Sequence, residues 1–409
     1  VKKFVGVLLG LLSAIGGFVD IGDLVVNAQV GSRFGLSLAW VLVVGVIGVC
    51  VFTQMSGRVS AVSKRATFEI IRERLGPRAG LANLSASFLI NLLTLAAEIG
   101  GIALALQLAS SVSYLLWVPV AAFAVWLIIW RVKFSTMEKT VPFVGLALVA
   151  FGIAVFLLSP DWGELFDQAF APSVPGSEHI ATYWYFAISI FGSAMTPYQV
   201  LFYSSSAIEE KWSPEKIAES RRNVIIGFPV GALIALAISA CAAIVLFPQG
   251  IEVSSLSQVV APVAEAGGKL LLAVVILGIV AATVGAALES TLSTGYMLSQ
   301  FFGWRWGKTR RPTHAARFHV SIMVCVLIGI GILCTGVDPV QVTELSVVFS
   351  AIALPLTYLP VLIVANDRQY MGEHVNGPVT NAVALIYLVI VVAASVAAIP
   401  LMIITGAGS

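Results

Sequence analysis

The stretch GGFVDIGDLVVNAQ, residues 16–29, decides how the rest of the chain is read. It lies in an apolar run about long enough to cross a bilayer core of roughly 30 Å. Its middle nevertheless holds two carboxylates, Asp20 and Asp23, among Gly16, Gly17 and Gly22. A charge at that depth costs at least a few kcal/mol, so two acids three residues apart need a compensating partner. Glycines at the same place let the backbone leave helical geometry, which frees carbonyls and amides to line a cavity. The stretch predicts a helix broken at mid-membrane, with both acids at the break.

Hydrophobic residues make up 59% of the 409 and charged residues 11%, with a mean hydropathy of +0.98. A water-exposed surface needs far more charge than that. Apolar runs of spanning length recur at about 4–31, 36–55, 83–110, 114–131, 141–158, 181–206, 222–247, 269–301, 316–335, 340–365 and 379–405. The expectation is an all-α membrane protein of eleven transmembrane helices, one transmembrane domain over 1–409, with no soluble domain. With the N-terminus inside, all of the 23 Lys and Arg except Arg33 and Lys269 fall in cytoplasmic loops. One missed span would invert every later loop, so the charge map supports the count and the orientation together. This predicts a multi-pass protein of the cell (inner) membrane, with the lipid bilayer as partner, no nucleic acid, and a monomeric state. Lys2-Lys3 before an apolar run can open a signal peptide, but no clean small-x-small cleavage site follows. Cys50, Cys241, Cys325 and Cys334 sit in apolar spans without metal-ligand spacing and are expected to pack.

A second interruption lies in FGSAMTPYQV, residues 191–200, where Gly192 and Pro197 fall mid-span and proline removes an internal hydrogen bond. Each break opens a set of about five spans. That pairing points to a carrier built as a 5+5 inverted repeat with its site between the two broken helices. Repeat one is expected over about 1–160, repeat two over about 161–365, and an extra helix over about 379–405.

At these residues the chain resembles a known family. Asp20-Ile21-Gly22-Asp23, with the tail Asn27-x-Gln29-x-Gly31-x-x-Phe34-Gly35, is similar to the first helix of the NRAMP divalent-metal transporters, which read Asp-Pro-Gly-Asn there. Ser193-Ala-Met-Thr-Pro-Tyr198 falls where that family has Ala-x-x-Met-Pro-His. Ala97-Glu98-Ile99-Gly100, Pro160-Asp161-Trp162, Leu354-Pro355 and Asp367-Arg368 with Met371-Gly372 agree as well. The resemblance implies a LeuT-type fold and a metal site made by Asp20, Asp23, Thr196 and the carbonyls of Gly17 and Ser193. Tyr198, Gln199, Tyr203, Glu98 and Glu289 are candidates for the pathway or for groups behind the site.

The departures suggest a branch resembling magnesium transporters. Proline and asparagine of the first break become Ile21 and Asp23, the methionine of the second becomes Thr196, and two histidines become Tyr198 and Tyr203. The span 3 acid is Leu95, and the glutamine of the tenth span is Val347. Carboxylate, hydroxyl and carbonyl oxygens suit Mg2+, Mn2+ and Ca2+, and losing sulfur removes a preference for softer ions. The reading is a carrier of hard divalent cations, Mg2+ first and Mn2+ second, with no cofactor and weak or no proton coupling, since few groups titrate near neutrality. Glu289, in span 8, could face the pathway, join a proton relay or pair with a hydroxyl. His179, His314, His319 and His374 lie in loops or at span ends.

Other readings stay open: a proton-coupled Mn2+/Fe2+ transporter, a carrier of a neutral or cationic organic solute on the same fold, or a channel. An enzyme is disfavoured, because an aspartyl protease needs acids on separate helices. The absence of Gly-x-x-x-x-Gly-Lys-Ser/Thr argues against an ATP-driven pump.

Overall fold

The structure is a computed structural model describing residues 19–406 except residue 177. Among the described residues every regular element is helical. The chain runs through α1 (Ile21–Phe34), α2 (Ala39–Ser63), α3 (Thr67–Ser110), α4 (Tyr114–Arg131), α5 (Phe134–Gly145), α6 (Val149–Leu157) and α7 (Trp162–Phe170). It continues through α8 (Ile180–Ala194), α9 (Pro197–Glu209), α10 (Ile217–Val245), α11 (Leu256–Phe302), α12 (Ala316–Cys334), α13 (Pro339–Ala365), the short α14 (Arg368–Met371) and α15 (Pro378–Ile404).

Among the described residues eight helical segments are long and apolar enough to cross a membrane. The other three expected spans are those at 4–31, 141–158 and 181–206. The first lies partly outside the described residues. The second is divided into α5, a 3-10 turn and α6, after which the chain bends by 116° into α7. Asp161 fixes that bend by capping α7, accepting from the amides of Gly163 and Glu164. The third is split at Met195-Thr196.

Two helices run past their expected limits because a glycine lets them turn without ending. Gly76 (φ +83°) precedes Pro77 inside α3, and Gly268 (φ +62°) interrupts α11 at the edge of the expected span. Both angles lie where only glycine is unstrained.

Burial separates the helices into an inner and an outer set. Every residue of α1 except Arg33 is buried, the mark of a helix surrounded by others. By contrast α4 buries only Val118, Ala121, Ala122, Val125 and Ile129, one stripe at helical spacing, and turns Leu116 and Phe123 outward. Outward apolar side chains on α4 and α15 suit lipid tails. The inner set places α1 against α10 and α8, with α3 packed along α11 and α13. The two breaks therefore meet near the middle of the bundle. Cys50, Cys241 and Cys325 are buried as expected of packing residues, whereas Cys334 is exposed because it ends α12.

Candidate functional site

The first break is built by Asp20. Its backbone is extended (φ −114°, ψ −174°), and its Oδ1 accepts from the Asp23 amide at 2.9 Å, so it is the N-cap of α1. An Asp cap satisfies one of the orphan amides of a helix start and sits at the positive end of the helix dipole. Asp23 is the third residue of the helix, so the Asp-x-x-Asp spacing is that of a capped first turn. Gly22 serves close packing: a Cβ there would lie 2.8 Å from Val347 Cγ2 and 3.0 Å from Asp20 Oδ1. Gly16 and the expected carbonyl ligand Gly17 lie outside the described residues.

The second break comes from Pro197. The residue before a proline is driven to extended backbone, and Thr196 adopts φ −57°, ψ 125°. Pro197 then opens α9 as its first residue, where its missing N–H costs nothing. It therefore starts a new helix, where the sequence reading had it removing a bond inside one. Gly192 is likewise a packing glycine, since a Cβ there would lie 2.8 Å from the Val347 carbonyl. The carbonyls left at the end of α8 are taken up locally. Thr196 Oγ1 donates to Ser193 O at 3.0 Å, and Tyr358 OH donates to Met195 O at 2.8 Å.

The two breaks touch through side chains. Ser193 Oγ donates to Asp23 Oδ1, and Tyr198 OH donates to Asp20 Oδ2 at 3.2 Å. Asp20 and Asp23 are 4% and 1% exposed. Asp23 Oδ2 is buried without a hydrogen-bond partner, a costly condition for a carboxylate oxygen. Beside them is a cavity of about 10 Å3, lined by Asp20, Glu98, Ser193 and Thr196 together with hydroxyls of α3 and α13. That volume is about enough for one water molecule.

Glu98 is wholly buried; its Oε1 accepts from the Ile21 amide at 3.3 Å, and its Oε2 has no hydrogen-bond partner. It thus serves the start of α1 alongside Asp20, each taking a different amide of the first turn. Glu289 is half-buried on α11, within electrostatic reach of Asp20 and Glu98. Among the described residues no hydroxyl hydrogen-bonds to it, which leaves the pathway and relay readings beside it. Gln199 is buried on α9 next to Tyr198. Tyr203 stands apart: its hydroxyl meets Ser220 Oγ at 2.8 Å and its ring meets Trp212 edge-on, so it packs α9 against its neighbours, away from the break. Among the described residues no three His, Cys, Asp or Glu side chains form a ligand group. Any cation here would be held by two acids plus neutral oxygens.

Sequence reasoning missed Thr94, Thr343, Ser346 and Ser350, which line the cavity. Thr94 Oγ1 and Ser346 Oγ meet at 2.8 Å and join α3 to α13. Polar residues at helical spacing along apolar spans (91, 94, 98 on one; 343, 346, 350 on the other) carry the signal that finds them.

The family model described as Natural resistance-associated macrophage protein-like matches residues 10–400. The chain belongs to the Nramp family. A divalent metal cation transporter, MntH, of Aeromonas hydrophila is 27% identical to this Nramp chain over 407 residues, 96% of this chain and 95% of the relative. The MntH of Bacillus subtilis is 22% identical over 391 residues, covering 93% and 88%. The manganese transporter of Eremococcus coleocola shares the fold with a TM-score of 0.71 at 18% identity, over 95% of this chain and 84% of that one. Mhp1, a nucleobase-cation-symport-1 family transporter, shares it with a TM-score of 0.62 at 16% identity, covering 96% and 91%. The fold is the LeuT-type architecture, and the relatives are transporters, not enzymes.

Within this Nramp chain the site lies between two unlike ends. Toward one end opens a vestibule of about 590 Å3, reached from Val26, one turn beyond Asp23, and bordered by Glu252, Asp338 and Glu344. Over it Gln29 donates to Glu344, and Arg33 pairs with Glu178 at 2.7 Å and Glu252 at 3.5 Å. Toward the other end Tyr198 is fully buried beneath Asp20, to which its hydroxyl donates. Below it Ser60 Oγ meets Ser204 Oγ at 2.6 Å, Ser204 Oγ accepts from the Thr67 amide at 2.8 Å, and Ser56 Oγ donates to Val200 O at 2.9 Å. This acid-lined mouth and this basic, sealed end are the acidic end and the basic end below.

Proposed function

We propose that this chain carries hard divalent cations across the membrane by alternating access, Mg2+ first and Mn2+ second, at a site centred on Asp20 and Asp23. The observation that carries the reading is Asp23. Its buried Oδ2 lacks a partner, while its other oxygen is tied across the break to Ser193. A divalent ion would supply the missing charge, and Asp20, the Thr196 hydroxyl and the Ser193 carbonyl offer further oxygens. Thr196 stands where the family resemblance puts a thioether, and no imidazole borders the cavity. Oxygen-only donors favour ions that shed water reluctantly and keep part of their shell. A cavity of about 10 Å3 is too tight for such an ion, so loading widens this contracted site. The cation's charge would draw both carboxylates away from Tyr198 and Ser193.

The same reading makes the basic end cytoplasmic, in line with the clustering of Lys and Arg, and the cell membrane the location of a monomer. The two repeats run over about 1–160 and 161–365, with α15 as the extra helix. Transport is weakly coupled to protons or uncoupled: two charges entering an inside-negative cell gain about 4.6 kcal/mol per 100 mV, enough to drive uptake alone.

Uptake into proteoliposomes, with Mg2+, Mn2+, Ca2+ and Fe2+ compared beside an internal pH dye, tests the proposal. Mg2+ uptake without matching acidification is expected, and Thr196→Met should move preference toward Fe2+ and Mn2+ by about tenfold, the worth of one ligand at roughly 1.4 kcal/mol. Preferential Fe2+ uptake with stoichiometric acidification would establish the proton-coupled alternative instead.

A further inference from the structure

At the basic end lies a second cavity, of about 370 Å3, one wall of which is the far end of the helix that starts at the second break. Its walls come from the α2–α3 turn, the C-terminal end of α9 and the segment that follows α11. Lys64, Arg65, Lys211, Arg305 and Arg310 border it, against two acids, Glu69 and Glu209. Clustered Lys and Arg at one end of a membrane protein is ordinary. The pairing around this cavity is less so.

Both acids are already committed to the protein. Glu209 accepts from Tyr296 OH at 3.2 Å, from Thr309 Oγ1 at 2.8 Å and from the Lys308 amide, and Glu69 accepts from Trp306 Nε1 at 3.1 Å and pairs with Arg65. The side chains of Lys211, Arg305 and Arg310 make no hydrogen bond or ion pair with a described residue. Five cations and two acids leave the walls with a net positive charge; Arg65 is held by Glu69 and Glu73 and Lys64 by the Trp212 carbonyl, so Lys211, Arg305 and Arg310 carry the uncompensated part.

The backbone points the same way. Lys64 (φ +58°) and Lys211 (φ +55°) are two of the four non-glycine residues with positive φ among those described. Both close helix ends, Lys64 as the left-handed cap of α2 and Lys211 in the turn after α9, where glycine or asparagine is favoured, so each lysine presents its charge at some backbone cost. Trp304 and Trp306 stiffen the same wall: Trp304 stacks on Phe302 under Arg317, and Trp306 meets Tyr296 edge-on. Converging cations on a rigid wall, in a volume typical of small-molecule sites, suit a phosphate ester.

We infer that this cavity binds a phosphate-bearing anion of nucleotide size. The three walls belong to segments that must separate if the basic end is to open, since α9 runs from Pro197 at the second break to Glu209 at the cavity. Resting on the transport reading above, occupancy would hold that end shut and slow uptake. Binding itself does not depend on that reading.

The test uses the full chain in phosphatidylcholine nanodiscs, with radiolabelled ATP as the probe in equilibrium dialysis. Saturable, salt-sensitive binding near one per chain is expected, with inorganic phosphate competing and Arg305→Gln with Arg310→Gln weakening it at least tenfold. Lys211→Gly removes a charge while relieving the backbone, so it should weaken ATP binding without lowering Tm. If ATP fails to bind but phosphatidylglycerol copurifies with the wild type and is lost from the double variant, the phosphate belongs to a lipid headgroup. The proposal is overturned if neither ATP nor phosphatidylglycerol is retained, or if both are retained equally by the double variant and by Lys211→Gly. A protein that binds ATP but moves no metal ion would sink the transport reading and leave this one standing.

Discussion

At the acidic end, long charged side chains reach across a vestibule of about 590 Å3; at the basic end, short hydroxyls meet at 2.6 Å with no side-chain length to spare. Arg33 keeps its pairing with Glu178 and Glu252 through rotatable bonds, and can follow modest shifts of the loops that carry them. Ser60, Ser204 and Thr67 cannot: their contact requires the backbones of α2, α9 and α3 to approach, and any parting breaks it. Side-chain ion pairs with one exposed partner contribute little and are screened by salt, whereas a buried amide left without its acceptor costs about 1–3 kcal/mol. In this conformation the acidic end is loosely latched, and the basic end is locked.

The largest expected effect lies where the two ends meet. Asp20 caps α1 above and accepts from Tyr198 below. Asp20→Ala should lower Mg2+ uptake about a hundredfold, because truncating one member of a buried, charged hydrogen-bonded set costs roughly 3 kcal/mol. Asp20→Asn keeps an acceptor for the Asp23 amide, so its Tm should stay near wild type while uptake falls. Wild-type uptake by Asp20→Ala would remove this residue from the site.

Ser204→Val addresses the lock directly. It strands the Thr67 amide and frees Ser60, at a cost of about 2 kcal/mol to the closed basic end. A cysteine in place of Gln199 should then react with a thiol reagent at least about tenfold faster from that side, as a shift of this size alters populations. An unchanged labelling rate would mean that the seal is made elsewhere, for instance at Tyr203 and Trp212.

The latch is weaker. Arg33 and Glu178 are each only 11% exposed, but Glu252 is 66% exposed. Arg33→Gln should alter the KM for Mg2+ about threefold at low salt and less at high salt, in keeping with roughly 0.5–1 kcal/mol. An equal change at both ionic strengths would point to packing on Phe186, over which the guanidinium sits at 5.2 Å.

The smallest effect concerns Lys308, in the segment after α11. Burial pushes its ammonium down to about 8 from the ordinary 10.5, although Glu209 opposes the shift. Below pH 8 both folded and unfolded chains hold the proton, so the burial penalty is present in full. Between 8 and 10.5 the folded chain has released it while the unfolded chain has not, so stability rises with pH over that window. A Tm that climbs from pH 8 to 10 in the wild type, and does not in Lys308→Met, is the expected pattern.

Both breaks were legible because each joins a residue that cannot continue a buried helix to a local cause. Asp20 is a charge at mid-span, and Pro197 lacks an amide. The kink at Gly268 was not legible in the same way: an expected span begins beside it, but a lone glycine does not announce a turn. What stayed hidden depends on which helix faces which. Glu98 reads as one more buried acid until α3 is seen to lie beside the start of α1. Tyr203 falls six residues after Pro197, yet the turn of α9 carries it to Ser220. The glycines misled: Gly22 and Gly192 suggested flexible backbone, whereas each is a contact point too close for a Cβ. Composition distinguishes neither use.

Asp20 has one further consequence, which concerns the unladen carrier. A protein that moves an ion one way must come back without it, and two bare carboxylates crossing a low-dielectric interior would make that return the slow leg of the cycle. Here the chain holds stand-ins for the departed cargo: the Asp23 amide and Tyr198 hydroxyl on Asp20, and the Ser193 hydroxyl on Asp23. Each is a neutral donor that an ion can displace on arrival and that can close again on departure. Turnover on the proposed cycle then depends as much on how well these donors imitate the metal as on how well the site binds it.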